Sequence, residues 1–241
     1  MRVKAVIAYD GSAFYGFQRQ TSTPLTVTHQ IEKALKTLQI ETQVVGSGRT
    51  DRGVHATGQV IHFDLPDFWQ DLHKLKTILN RRLDAVRFKQ LVFVPETFHA
   101  RFSAKKRCYR YLFKTDTLSV FERNYLASYP SGFNIDRLAK ALELFEGEHD
   151  FRHFHKTGSQ IHTSVRTVYQ TKYYTYGTYH IMVFEANGFL RSQVRMMVEA
   201  VMQCASGSIS HEILQAQLKG EIQSFRKLAP AQGLYLSKIH Y

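Results

Sequence analysis

Cysteine is nearly absent from this chain of 241 residues: Cys108 and Cys204 are the only two. That is too few for a disulfide framework, and the pair lacks the spacing of a structural zinc site, so each is expected as a buried, reduced thiol. Proline, at 5 residues, is too scarce for a Pro-rich linker, and no Ser/Gly linker or block of like charge interrupts the chain. Long apolar runs are also missing. No segment approaches membrane-spanning length, and the N-terminus reaches Asp10 before a signal-peptide hydrophobic region can form. A cytoplasmic protein without membrane contact is expected. Gly46-Ser47-Gly48 lacks the Gly-Lys-Ser/Thr ending of a phosphate-binding P-loop, and there is no dinucleotide glycine fingerprint. No cofactor is implied.

Acidic residues are the other shortage. Against 20 Asp+Glu stand 32 Lys+Arg, a formal charge of +12, spread along the sequence instead of gathered in a tail. A polyanion is the expected partner. The chain also has 13 Tyr and 17 Phe, and segments such as Arg107-Cys108-Tyr109-Arg110-Tyr111 and Lys172-Tyr173-Tyr174 interleave cations with aromatics. Such surfaces suit unstacked bases, which favours single-stranded or looped RNA over duplex DNA. With 44% hydrophobic residues the chain can bury a core of one large or two modest domains.

Periodicity alternates strands with helices. Val3 to Tyr9 reads as a strand, and Ile31, Ala34, Leu35 and Leu38 give a helix from about Thr28 to Leu38. β-like segments at Thr42 to Val45 and Gln59 to Phe63 flank residues 46–58. Leu72, Leu75, Leu79 and Leu83 mark a second helix before a strand at Val86 to Val94. A second half follows: a strand at Arg107 to Phe113, a helix with Ile135, Leu138, Leu142 and Phe145, strands near Val165 to Tyr174 and Tyr179 to Ala186, and a helix from about Phe189 to Met202. Both tight and helical connections occur, so the expected class is α+β, with mixed, mainly antiparallel sheets flanked by helices. The expected division is residues 1–104 and 105–241.

The candidate chemistry sits in Gly48-Arg49-Thr50-Asp51-Arg52-Gly53-Val54-His55-Ala56, a lone carboxylate between two arginines in a glycine-bracketed turn. Gly46, Gly48 and Gly53 permit unusual backbone conformations, and the guanidiniums favour the ionised carboxylate, the state a nucleophile needs. Charge pattern alone also allows an ordinary surface turn with exposed ion pairs. In the strand from Arg107, Tyr109, Tyr111 and Phe113 share one face, suited either to base stacking or to a core; Phe113 is expected in the core and Tyr109 at a base. Asn187, Arg191, Arg195 and Glu199 follow at i,i+4 and by spacing alone read as a solvated helix face. His149-Asp150-Phe151-Arg152-His153-Phe154-His155 superficially looks like a metal cluster, but two phenylalanines interrupt it and no cysteine is near, so no metal site is expected.

Several runs together resemble the tRNA pseudouridine synthase A family. They are Tyr9-Asp10-Gly11 with Phe14-Tyr15-Gly16-Phe17-Gln18-Arg19-Gln20; Gly48-Arg49-Thr50-Asp51 with Gly53-Val54-His55-Ala56; Phe98-His99-Ala100-Arg101-Phe102-Ser103-Ala104; Tyr109-Arg110-Tyr111; Gly147-Glu148-His149-Asp150-Phe151; Val194-Arg195; and Ala229-Pro230-Ala231-Gln232-Gly233-Leu234-Tyr235-Leu236. The resemblance covers nearly the whole chain in order. It implies the pseudouridine synthase fold, with an active-site cleft between the halves. It also implies isomerisation of uridine to pseudouridine at positions 38 to 40 of the tRNA anticodon stem-loop, by a homodimer using neither cofactor nor metal. On it, Asp51 matches the catalytic nucleophile, Arg49 the arginine that helps extrude the nucleotide, Tyr109 the tyrosine stacked on the target uracil, and Arg195 the partner of the carboxylate. Arg52, His55, Arg19, Arg101, Arg107 and Arg110 are the expected RNA contacts. Arg52 stands where the family commonly has alanine, and Glu199 where it commonly has glycine. A basic RNA-binding protein of the same fold without turnover is the alternative.

Overall fold

The structure, a computed structural model, describes residues 1–158 and 162–241. Contacts divide the chain into two units, Met1–Lys105 with Tyr235–Tyr241, and Lys106–Leu234. The first unit contains β1 (Arg2–Tyr9), α1 (Val27–Lys36), β2 (Val45–Gly46), β3 (His55–Asp64), α2 (Leu72–Arg82) and β4 (Val86–Phe93). The second contains β5 (Lys106–Lys114), β6 (Ala127–Ser128), α3 (Ile135–Glu143), β7 (Gly147–Asp150), β8 (Val165–Tyr176), β9 (Tyr179–Ala186), α4 (Gln193–Ala205) and α5 (His211–Leu218). The last strand, β10 (Leu234–His240), returns to the first unit, whereas the sequence division kept it with the second half.

In the first unit the strand order is β4-β1-β3-β10, with β2 on β3. β1 is antiparallel to β3 and β4, and β10 is parallel to β3, with Tyr235 opposite His55. Val3, Ala5, Ile7 and Tyr9 are buried while the residues between them are half-exposed, the period of two that a sheet covered on one face requires. α1 starts where the Thr26 side chain accepts the His29 N–H, and α2 where Asp71 accepts the Lys74 N–H at 2.8 Å; each satisfies an otherwise orphaned donor. Ile31 and Leu35 of α1 and Leu75 and Leu79 of α2 are fully buried.

The second unit's sheet runs β5-β9-β8-β7, antiparallel throughout, with β6 parallel to β5. Mixed, mainly antiparallel pairing is thus present in both units. α3, capped by Asn134, buries Leu138 and Leu142 and packs on α4 and β8. Phe145, Phe151 and Phe154 form an edge-to-face core cluster, so the phenylalanines inside the histidine-rich segment are packing residues.

Three element starts moved by three residues or more. The expected strand Thr42 to Val45 shrinks to Val45–Gly46, while β3 begins four residues before Gln59. α4 begins at Gln193, because Ser192 takes a left-handed φ of 60° and the Gln193 side chain accepts the Leu190 N–H at 2.7 Å. Cys204 is buried, with its thiol pushed up to about 11 by burial, but Cys108 is only half-buried.

Candidate active site

Asp51 sits at the start of a tight turn that opens directly into β3. The Val54 N–H donates to the Asp51 carbonyl at 3.2 Å, and Gly53 at φ +78° occupies the third position. Arg52 is not among the residues with positive φ, so the turn has the type II signature, whose third position favours glycine. The turn is braced from behind. The Thr50 and Tyr9 hydroxyls share a buried hydrogen bond of 2.8 Å, and the Thr50 carbonyl accepts the Phe17 N–H at 3.1 Å. On the approach side, fully buried Gln59 binds the Ser47 hydroxyl at 2.6 Å and donates to the Gly48 carbonyl at 2.8 Å. Of the three glycines given a conformational reason from sequence, only Gly53 has positive φ. A Cβ at Gly46 would lie 2.4 Å from the Phe17 ring, and one at Gly48 would meet nothing. Gly11, which sequence reasoning passed over, is under the hardest constraint: its Cβ would fall 2.1 Å from the Val54 carbonyl oxygen.

Within this frame Asp51 is half-buried, and Arg49 and Arg52 are exposed on either side of it. The Arg52 guanidinium lies 4.1 Å from the Tyr15 ring centroid, a cation–π contact that holds the plane of the group. His55, expected at the RNA surface, is instead an internal residue. It is 2% exposed, its Nδ1 accepts the Gly11 N–H at 3.0 Å and lies 3.3 Å from Asp10 Oδ1, and its ring stacks on Tyr235 at 4.7 Å. Burial of a polar ring is tolerated here because its hydrogen-bonding atom is satisfied.

The remaining first-unit candidates are dispersed. Arg19 is ion-paired with Glu32 of α1. Arg101 lies in the segment after β4, its guanidinium 5.5 Å from the exposed Phe102 ring, which stacks on His99 at 4.3 Å. Beneath them His62 accepts the Ala100 N–H at 3.1 Å. Burial first, then the Arg2 guanidinium and His99, push its imidazole down to about 4.

In the second unit β5 divides its candidates between two faces. Tyr109, Tyr111 and Phe113 are all on the buried face, at 8%, 0% and 0% exposure, so Tyr111 and Phe113 belong to the core. Tyr109, at the margin of that core, packs edge-on to Phe189 at 5.3 Å. The Tyr111 hydroxyl donates to the Pro230 carbonyl at 3.1 Å, and burial raises its phenol. Arg110 lies on the opposite, exposed face, and Arg107 donates to the Asn187 carbonyl at 2.7 Å.

The solvated helix face read from Asn187, Arg191, Arg195 and Glu199 does not exist. Asn187 and Arg191 precede α4, and Glu199 is 3% exposed. Glu199 pairs with Lys227 at 2.8 Å and accepts from the Tyr129 hydroxyl at 3.2 Å and the Gln203 amide at 3.3 Å. Arg195 Nε donates to the Ala229 carbonyl at 2.7 Å, and the Ala229 N–H returns a bond of 3.1 Å to the Arg195 carbonyl. The segment 227–230 is therefore laced to α4 and β5 by Lys227, Ala229 and Pro230. It has no regular structure, and no periodicity announces it.

In the histidine-rich segment His149 Nε2 is bonded to the Glu146 carbonyl and His155 Nδ1 to the Lys156 carbonyl. Among the described residues no group of three or more His, Cys, Asp or Glu is placed to hold a metal ion, and no helix is long and apolar enough to cross a membrane.

A sequence model described as tRNA pseudouridine synthase matches residues 5–103 and 141–241. The chain is 39% identical over 238 residues to tRNA pseudouridine synthase A of Wolinella succinogenes, covering 98% of this chain and 93% of the relative. It is 38% identical over 244 residues to that of Helicobacter hepaticus, covering 99% and 98%. With that of Campylobacter jejuni it shares 34% over 242 residues and the full length of both. A solved archaeal box H/ACA sRNP Nop10-Cbf5 complex is similar over 83% of this chain and 43% of that one, at 12% identity and a TM-score of 0.36, too low to support a comparison of detail. The match in sequence runs through both units and includes the Asp51 turn, β10 and α4: the chain belongs to the tRNA pseudouridine synthase family.

Proposed function

We propose that this protein isomerises uridine to pseudouridine in tRNA, at positions 38 to 40 of the anticodon stem-loop, acting in the cytoplasm as a homodimer and drawing its chemistry from its own side chains. The observation that carries this is the Asp51 turn. A carboxylate between two arginines is held by backbone and buried side-chain bonds, in a chain whose relatives are named tRNA pseudouridine synthase A. A merely structural ion pair needs no such bracing.

In this reading Arg49 helps extrude the target nucleotide, which cannot meet a carboxylate while stacked, and Tyr109 receives the uracil face. Asp51 attacks C6 of the base or C1′ of the ribose; the same carboxylate serves either route. The N1–C1′ bond breaks, C5 bonds to C1′, the bond to Asp51 breaks to return the carboxylate, and the proton lost from C5 is balanced by one gained at N1, so no oxidant or reductant enters. Arg195 pairs with the carboxylate, its Nε edge set by Ala229. Arg52, Arg19, Arg101, Arg107 and Arg110 meet the phosphates. Binding without turnover is the weaker reading, since a protein that only holds phosphates gains nothing from a carboxylate among its cations.

The test is carbodiimide mapping of an unmodified tRNA transcript incubated with the protein in excess EDTA, with the transcript shown to remain folded. Pseudouridine is expected within positions 38 to 40. Its absence, or activity that only added zinc or magnesium restores, contradicts the reading.

A further inference from the structure

The two cation–aromatic segments singled out in the sequence converge on one surface. Register across β5, β9 and β8 sets Arg110 beside Val183 beside Lys172, and in the next row Leu112 beside Ile181 beside Tyr174. This is the face of β5 opposite Tyr109, Tyr111 and Phe113, so it is separate from the surface that carries Tyr109. Arg110, Lys172 and Tyr174 are exposed, Tyr174 at 41%. Two carboxylates at this face are already neutralised, Glu185 by Lys106 and Glu122 by Lys114, each at 2.9 Å. Arg110 and Lys172 have no acidic partner among the described residues. What the face offers is two uncompensated cations about a valine, with a tyrosine ring in the adjoining row.

We propose that this open face of β5, β9 and β8 is a second RNA-binding surface, taking phosphates on Arg110 and Lys172 and an unpaired base on Tyr174. It rests on the proposed tRNA substrate, for which Arg110 already serves as a phosphate contact, and goes beyond it in adding Lys172 and Tyr174 and in making this face a separate surface that takes no part in the chemistry. Charge complementarity selects the occupant. A second copy docked face to face would bring the uncompensated Arg110 and Lys172 of each toward those of the other. The aliphatic centre of the apolar row is already covered, Ile181 being only 9% exposed, and the aromatic surface that remains, Tyr174 and Tyr176, is of the kind on which a base can stack. RNA supplies a phosphate to each cation and a ring to the tyrosine, the means by which other open sheets hold single-stranded RNA.

The experiment compares the Arg110→Gln/Lys172→Gln double variant, Tyr174→Leu and Tyr174→Phe with wild type. Affinity for unmodified tRNA is measured across salt concentrations, and mass by analytical ultracentrifugation. All substituted positions are exposed, and thermal melts check the fold. The double variant is expected to lower the log–log salt slope by about 1.4, since each phosphate contact to a single strand contributes roughly 0.7. Tyr174→Leu is expected to weaken binding about fivefold or more, and Tyr174→Phe to retain it. Unchanged affinity and slope in both the double variant and Tyr174→Leu overturns the proposal, as does a change confined to oligomeric mass, which would assign the face to a second copy. Wild type that binds tRNA but forms no pseudouridine overturns the activity instead, and affinity and slope then decide this surface alone.

Discussion

At the scale of single residues, the turn around Asp51 shows what sequence can and cannot carry. The alternation of arginine and aspartate is legible as a chemical pattern. The atoms that hold it, Tyr9, Gln59 and Gly11, are distant in sequence and carry no local signal, because a buried glutamine or a close backbone approach is defined only by what packs against it. His55 was misread for the same reason: it looks like an exposed loop histidine until Gly11 and Tyr235 surround it. A testable residue of the same kind is His62. Its folded value of about 4 lies below the ordinary 6.5, so the unfolded chain takes up the proton first as pH falls. The stability contributed by neutral His62 is whole above about pH 6.5 and is lost between there and about pH 4. Denaturant titrations at several pH values should show wild type losing roughly 1–3 kcal/mol more than His62→Gln across that window. Parallel curves would remove His62 from the account.

At the scale of elements, helices with an apolar stripe and a cap were legible, as α1, α2 and α3 show, because periodicity and capping act within a few residues. β10 and β7 were not: the first depends on a partner strand far away in sequence, and the second is a short polar run. α4 was found but its polar line misjudged, since a helix buried on nearly every side hides Glu199 and gives it a partner from another segment. The Glu199–Lys227 pair is accordingly open to test. Lys227→Met leaves the buried carboxylate without its cation, and because the lysine itself is 73% exposed the cost should be about 1–2 kcal/mol, below that of breaking a fully buried pair. Adding Glu199→Gln, which keeps an acceptor for Tyr129, should recover most of that loss in chemical denaturation. A double variant no more stable than Lys227→Met would show that the pair does not fasten segment 227–230.

At the scale of the whole molecule, composition excluded more than it specified. Few cysteines, no long apolar run and a charge of +12 left a folded, basic protein with a polyanionic partner, and the collinear motifs then narrowed the chemistry to one family. The family match runs through both units, a connection that no local argument makes. The central claim is that Asp51 is the nucleophile while cations distributed over the molecule hold the RNA. It is tested most directly by Asp51→Asn, assayed for both pseudouridine formation and tRNA affinity. The amide is a far poorer nucleophile but removes no phosphate contact, so formation should fall to background while affinity stays within a few-fold of wild type. Turnover near the wild-type rate would contradict the account.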